Sequence, residues 1–292
     1  AGMWYTNLQF TVDGIERGGI SGGWTGYSDK NGQRVPKELD GVCSNIEFSN
    51  MYINSGLHSR YNEGAIYKCF MDVWGTGTVF RNIWEEHFEC GFWFGDYNGK
   101  IDYSKNVKVI DCRIRNNYAD GVNFCIGTSN SAVYNCSIRN NGDDGLAVWP
   151  DDSKGPKSAD NNIFAYNTIE LGWRAGGVGI YGGDGHKIYN NYICDMFMAS
   201  GIHLNTTFSG PRFKNTNKIA FDNNILVRCG TDSAAWNNPF GAIDITEDVR
   251  NVFFTNTKIY DSPQEGVRLD GRVQEVEFNG LDILGSNLMG IK

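Results

Sequence analysis

Two short segments carry three carboxylates at matching places: Tyr118-Ala119-Asp120-Gly121-Val122 and Gly142-Asp143-Asp144-Gly145-Leu146. Each follows a similar phrase, Asp111-Cys112-Arg113-Ile114 or Asn135-Cys136-Ser137-Ile138, and Asp120 and Asp144 both fall six residues after its isoleucine. A fold that stacks these phrases brings the two aspartates about one inter-strand spacing apart, roughly 4.8 Å, with Asp143 beside them. Stacked carboxylates repel and raise one another's pKa, so the column stabilises nothing unless it binds something or does chemistry. Inverting cleavage of a glycosidic bond uses such groups: a protonated acid at the leaving oxygen and a carboxylate base that activates water, roughly 6.5–9.5 Å apart. In that scheme Asp120 and Asp144 hold one water between them, and Asp143, projecting differently, is the acid. Two plainer readings compete. Asp-Gly is common turn chemistry, and clustered carboxylates suit calcium, for which Asp151 and Asp152 in the following loop are further candidates.

The elements that position these residues follow from an internal repeat. The phrase recurs as Asn50-Met-Tyr-Ile53, Asn190-Asn-Tyr-Ile193, Asp222-Asn-Asn-Ile225 and Asn256-Thr-Lys-Ile259, with looser copies at Phe10, Ile83, Ile169 and Ile283. The shortest period is 24 residues, and longer ones mark insertions. A second strand follows a glycine in most copies, as in Gly145-Leu-Ala-Val and Gly201-Ile-His-Leu, and a third often precedes the phrase, as in Val107-Lys-Val-Ile. Three short strands per two dozen residues, with no helical periodicity, predict an all-β fold: a right-handed parallel β-helix, a solenoid of about ten coils. Equivalent residues then form columns, apolar ones inside and asparagines in ladders at the turns. Glu89, six residues after Ile83, is expected to extend the Asp120 column. The insertions Thr11 to Ser44, Ser55 to Tyr67, Trp149 to Asn161 and Thr207 to Asn217 are the expected walls of a cleft.

The 292 residues suffice for a substantial core, and the composition, 40% hydrophobic and 21% charged, is that of a globular protein. A net charge of -8 without a Lys/Arg cluster argues against nucleic acid as partner. No apolar run approaches the roughly 20 residues of a membrane span. The eight cysteines show no CxxC pair, which disfavours zinc. Cys112 and Cys136 share a repeat position and suit stacked interior thiols as well as a disulfide.

The segments Asn116-Asn-Tyr-Ala-Asp-Gly-Val-Asn-Phe124 and Arg139-Asn-Asn-Gly-Asp-Asp-Gly-Leu-Ala-Val-Trp149 resemble those of the pectinase-type β-helix hydrolases. The resemblance is closest to glycoside hydrolase family 87, the α-1,3-glucanases or mutanases, with the family 49 dextranases related. Polygalacturonases share the aspartate elements but also carry Gly-His-Gly and Arg-Ile-Lys. This chain has only Gly185-His186-Lys187 and no Arg-Ile-Lys, so an anionic uronate is not expected. The resemblance implies an inverting endo-acting hydrolase of α-1,3-glucan with Asp143 as general acid and Asp120 and Asp144 activating water. It also implies a secreted, extracellular enzyme acting as a monomer, with no cofactor required for catalysis and structural calcium compatible. Such enzymes commonly carry a β-sandwich before the β-helix, and no cap-like segment precedes Thr6, so residues 1–292 are expected to form one catalytic domain lacking that upstream unit.

For a neutral glucan, aromatic platforms and hydrogen-bonding side chains are needed. Trp93, Trp149, Trp173 and Tyr181 lie in or just after the segments of the carboxylate column, Asn123 follows Asp120 by three, and His203 lies on an equivalent strand. With Glu89 these are the candidate substrate-binding residues, although each aromatic alone suits interior packing equally well. The alternatives are a dextranase or polygalacturonase-type hydrolase, a polysaccharide lyase, and a noncatalytic carbohydrate-binding or adhesion β-helix.

Overall fold

A computed structural model describes residues 6–10, 19–23, 26–28, 34–36, 43–57, 68–95, 104–150, 159–208, 212–233 and 236–292. In a typical coil the chain follows a short strand, turns at a polar residue, runs through the marker strand, turns again, and enters a third strand after a glycine. Each strand pairs in parallel with its equivalents in adjacent coils, and among the described residues 24 strands join in one wound sheet. The fold is a right-handed parallel β-helix, as the repeat predicts. Ten strands stack on the marker face, from Thr6–Phe10 through Arg113–Arg115 and Ser137–Arg139 to Asp282–Leu284, one per coil. The face that follows the glycines holds Cys90–Phe94, Val122–Phe124, Leu146–Val148, Val178–Ile180 and Ile202–Leu204, then runs into Ile243–Thr255 and Val267–Asn279. It is called the cleft face below. No described helix is long and apolar enough to cross a membrane.

The polar residue of the repeated phrase sits where the backbone is left-handed, with φ of 58° at Asn50, 57° at Asp111, 53° at Asn135 and 56° at Asn190. Asn and Asp adopt this region more readily than other residues with a Cβ. Their side chains also tie coil to coil, Asn135 Nδ2 donating to Asp111 Oδ1 at 2.7 Å and Asn223 Nδ2 to Asn190 Oδ1 at 2.6 Å. The next residue turns inward and builds a second ladder, Asn167 to Asn191 to Asn224, with 3.0 Å between each amide nitrogen and the next oxygen. The buried backbone N–H of Cys136 is satisfied by Asn167 Oδ1 at 2.9 Å, which removes a penalty of about 1–3 kcal/mol for an unpaired buried group. Cys112 and Cys136 precede these asparagines in the same column as free, stacked thiols, the Cys112 N–H donating to Cys136 Sγ at 3.4 Å.

Ile114, Ile138, Ile169, Ile193 and Ile259 point inward and are at most 2% exposed, each contributing about 1.5–3 kcal/mol by leaving water. Three markers differ from expectation. Leu8, not Phe10, pairs with Ile53; Glu85, not Ile83, pairs with Ile53 and Ile114; and Leu226, not Ile225, pairs with Ile193 and Ile259. The eight-residue strand Val79–Glu86 is longer than its successors and advances the phrase by two. Val122 pairs with Phe92, so Cys90 lies over Asp120, while Glu89 lies over Ala119, whose N–H it accepts. The expectation that Glu89 extends the Asp120 column is therefore corrected.

Glu85 is a carboxyl in an isoleucine column, fully buried, with Oε1 accepting from Asn117 Nδ2 at 2.8 Å and Oε2 without a hydrogen-bond partner. Burial pushes its pKa well above the ordinary carboxylate value. The folded state therefore keeps a proton that the unfolded chain loses near pH 4.3, roughly, and stability falls as pH rises beyond that point. Glu85→Gln keeps the accepting oxygen and carries no charge. Its melting temperature should match wild type near pH 4 and exceed it at pH 7–8; a difference that does not vary with pH would contradict the assignment of a buried proton to Glu85.

Candidate active site

The carboxylates stand at the entrance to the cleft face. Before each, an asparagine folds inward, and the Asn117 N–H donates to Asn141 Oδ1 at 3.1 Å, holding the two corners in register. Gly121 and Gly145 follow. Neither is a turn glycine with positive φ; a Cβ on Gly121 would lie 2.5 Å from Gly145 O, and one on Gly145 2.8 Å from Gly177 O. Glycine is required because successive coils approach too closely for a side chain, which sets aside turn chemistry as the reason for Asp-Gly. The Gly121 N–H donates to Asp144 O at 3.0 Å, so Asp120 lies over Asp144 as the spacing predicts.

One oxygen from each of Asp120, Asp143 and Asp144 lies within 4.8 Å of the others. This is tighter than the gap of about 6.5–9.5 Å expected between an inverting acid and base, because two of the groups are sequence neighbours and the third is one coil away. Asp144 is 2% exposed; Tyr181 OH donates to its Oδ2 at 2.5 Å and the Gly176 N–H to its Oδ1 at 2.9 Å. Burial, followed by the Asp143 charge, raises it to about 7. Asp120 accepts from Asn123 Nδ2 at 3.0 Å and is pushed well up by burial and then by the charges of Asp143 and Asp144. Asp143 is raised by burial against the opposing pull of Arg174, whose guanidinium donates to its Oδ2 at 3.1 Å. Three oxygens this close have the spacing to bracket a divalent cation. Each carboxylate, however, already accepts from a protein donor, and Arg174 brings a positive charge, so the set fits proton exchange better than calcium. Asp151 and Asp152 lie outside the described residues.

A cavity of about 710 Å³ opens beside Asp143 and Asp144 and continues along the helix axis past Tyr181, His203, Phe240 and Arg268 to Gly271. Thr207 and Phe208, from one predicted insertion, line it. His203 Nε2 accepts from Asn205 Nδ2 at 2.9 Å and lies 3.6 Å from buried Asp244; burial, and then Arg268, lowers the imidazole to about 4, so it is neutral at pH 7. Asn123 pairs with Trp93 on one side and Ala147 on the other, in the outward column that leads to Gly179 and His203. Trp93 carries Lys68 Nζ 4.1 Å from its ring, and Lys68 is ion-paired with Glu89. Trp149 packs against Phe208 at 6.0 Å, and Trp173 edge-on against Tyr118 at 6.2 Å. The cavity thus gathers Asp143, Asp144, Tyr181 and His203, whereas Asp120, Glu89, Trp93, Asn123, Trp149 and Trp173 are not among its lining residues.

Two cations, Arg174 and Lys68, sit near the triad, each neutralised by an acid. Arg174 was legible: it falls five residues after Ile169, as Asp143 does after Ile138. Trp236, Asn238 and Phe240 reach the cavity from an insertion in which Thr231–Ser233 pairs antiparallel with Asn238–Phe240, a segment without the repeat's spacing.

The site is thus a carboxylate cluster at the axial cleft of a parallel β-helix. The family model of α-1,3-glucanase catalytic domain D2 matches residues 45–277, and the chain belongs to that family, glycoside hydrolase family 87. It is similar to the crystal structure of the Agl-KA catalytic domain, with 36% identity and a TM-score of 0.82 over 100% of this chain and 57% of that one. A family 87 α-1,3-glucanase catalytic domain in complex with nigerose matches at 19% identity and TM-score 0.72, over 100% of this chain and 56% of that one. The chain therefore spans little more than half the length of these structures. The A-module of the Azotobacter vinelandii mannuronan C-5 epimerase AlgE4 shares the fold at 12% identity and TM-score 0.57, over 100% of this chain and 80% of that one. No curated protein sequence matches.

Tyr181 favours the ionised form of Asp144 by donating to it. Tyr181→Phe should therefore raise the apparent Asp144 pKa above its present value near 7, read by carboxyl-carbon NMR titration; an unchanged or lowered value would refute the coupling.

Proposed function

We propose that the protein hydrolyses α-1,3-glucosidic bonds in α-1,3-glucan, cutting within the chain and inverting the anomeric centre. The observation that carries this reading is the cluster of Asp120, Asp143 and Asp144 beside the long cavity, in a chain of this family. Asp143 lines the cavity with a side chain 37% exposed and is the acid that protonates the leaving oxygen. Asp120 and Asp144, stacked on adjacent coils, jointly hold and deprotonate the water. Asp144, raised to about 7 by burial and then by the Asp143 charge, suits proton exchange near neutral pH rather than permanent ionisation. The same spacing, 23 and 1, separates the aspartates substituted by alanine in solved α-1,3-glucanase domains, which supports the choice of Asp120, Asp143 and Asp144 as the reacting positions.

The cavity favours a neutral sugar. Its described lining includes Asp143, Asp144, Glu247 and Asp270, and its Arg268 is already paired with Asp244 and Asp270. A polyuronate would meet repulsion. The cavity begins at Asp143 and Asp144 and runs along the axis to Gly271, and endo action requires the glucan to continue on the other side of the carboxylates over Asn123 and Trp93. A polymer of this kind is met outside the cell, so secretion belongs to the same proposal.

The test is a panel of α-1,3-glucan, dextran and polygalacturonate, with reducing sugar, product size and anomeric configuration by proton NMR as readouts. Release of α-1,3-linked oligosaccharides of β-configuration is expected; glucose alone would exclude endo action, and α-products would exclude inversion. Asp143→Asn should lose about 10²–10⁴-fold in kcat, and full activity there would remove the acid assignment. Gly179→Ala offers a second check, because its Cβ would stand 2.2 Å from Asp144 Oδ2. With folding intact by circular dichroism, it should lose roughly a hundredfold in kcat; wild-type turnover would show that Asp144 need not keep this position.

A further inference from the structure

We propose that Arg174 is a positioning residue for the acid: its guanidinium fixes the Asp143 carboxyl at the cleft wall and sets its strength as a proton donor. The inference rests on Asp143 being the acid. Arg174 is itself held in several ways. Its Nε donates to Gly142 O at 2.9 Å, and one terminal nitrogen donates to Asp143 Oδ2 at 3.1 Å and lies 3.5 Å from Tyr118 O. The guanidinium lies 4.8 Å from the Tyr118 ring centroid and 5.6 Å from that of Trp173. Its own carbonyl accepts the indole N–H of Trp236 at 2.7 Å, so the cavity wall holds its backbone. The floor is equally closed: a Cβ on Gly142 would meet Tyr118 O at 1.9 Å and the Trp173 ring at 2.3 Å. The other carboxyl oxygen accepts the Asp144 N–H at 3.0 Å, which leaves the Asp143 carboxyl little freedom to rotate.

The groups that face Asp143 are mostly acidic. Asp144 adjoins it, Asp120 and Glu89 approach from the preceding coils, and Tyr181 contributes a phenol. Lys68 is bound to Glu89. Without Arg174, burial and these acids would keep the Asp143 proton so firmly that protonation of a glycosidic oxygen becomes difficult. With it, the acid remains protonatable yet able to release its proton, the match that general acid catalysis needs. A fork that contacts Gly142, Tyr118 and Asp143 together supplies orientation as well as charge, which a single ammonium does not.

The experiment is the pH dependence of kcat and KM on a soluble α-1,3-linked glucotetraose for wild type, Arg174→Gln and Arg174→Lys. In Arg174→Gln the alkaline limb of kcat should move up by on the order of one pH unit, and kcat at the optimum should fall roughly tenfold or more, with KM little changed. In Arg174→Lys the limb should stay near wild type while kcat still falls. A folded Arg174→Gln with the wild-type alkaline limb, whatever its kcat, overturns the proposal, since a merely structural role would not move that limb. If Gln at 174 prevents folding, as circular dichroism would show, Arg174→Lys decides: wild-type kcat in it overturns the proposal. Asp143→Asn separates the two claims. Retained activity there removes the acid reading itself, whereas an inactive Asp143→Asn with an unmoved limb in Arg174→Gln removes only the role of Arg174.

Discussion

The backbone ladder between coils, drawn tight at Gly121, Gly145, Gly177 and Gly201, is the constraint on which the site depends. At each of the first three glycines a Cβ would stand within 3 Å of the next glycine's carbonyl oxygen, so the strands that follow have no freedom to slip. A slip of one residue would turn Val122 and Leu146 out of the core and carry Asp120 away from Asp144. Core packing and the geometry of the carboxylates are thus one condition. The inward asparagines reinforce it from the corners, because each pairs with its counterpart in the neighbouring coil rather than with its own turn.

Within that frame the site is a balance of opposed charges. Bringing three carboxyls within 4.8 Å in a poorly hydrated pocket is unfavourable for ionisation of all three together. Each carboxyl has its own donors: Tyr181 and the Gly176 N–H serve Asp144, Asn123 serves Asp120, and Arg174 serves Asp143. Only the last of these is a cation, and it meets Asp143, one of the two carboxyls that line the cavity. The three groups therefore differ in environment although they are alike in chemistry, the condition under which one residue type can fill two roles in a single reaction.

How much of this was legible follows from where the repeat is regular. Asp120 and Asp144 are separated by one uninterrupted 24-residue coil, and their register was readable from the sequence. Glu89 was misplaced because Val79–Glu86 is a longer strand whose interior position is taken by a glutamate, a residue no hydrophobic pattern would place there. Arg174 keeps the repeat's spacing, but its ion pair with Asp143 is not legible, since a salt bridge between coils leaves no local signature. The wall formed by Trp236 and Phe240 belongs to an insertion with its own antiparallel pairing, and insertions are where periodicity stops informing. His203 was placed on the correct strand type, while its neutral state depends on burial and on Arg268, which lies far along the chain.

The outward column of the cleft face runs Trp93, Asn123, Ala147, Gly179, His203, Asp244, Arg268, one residue per coil. A linear polymer lying parallel to the solenoid axis passes a new side chain at every rung of this ruler, at intervals of roughly 4.8 Å. Because each rung belongs to a different coil, a substitution there alters one contact without shifting the register of the rest. The two smallest rungs, Ala147 and Gly179, are neighbours in this column, and a Cβ on Gly179 would meet Asp144 Oδ2 at 2.2 Å, so the ruler is notched where the Asp144 carboxylate leans over it and graduated on either side.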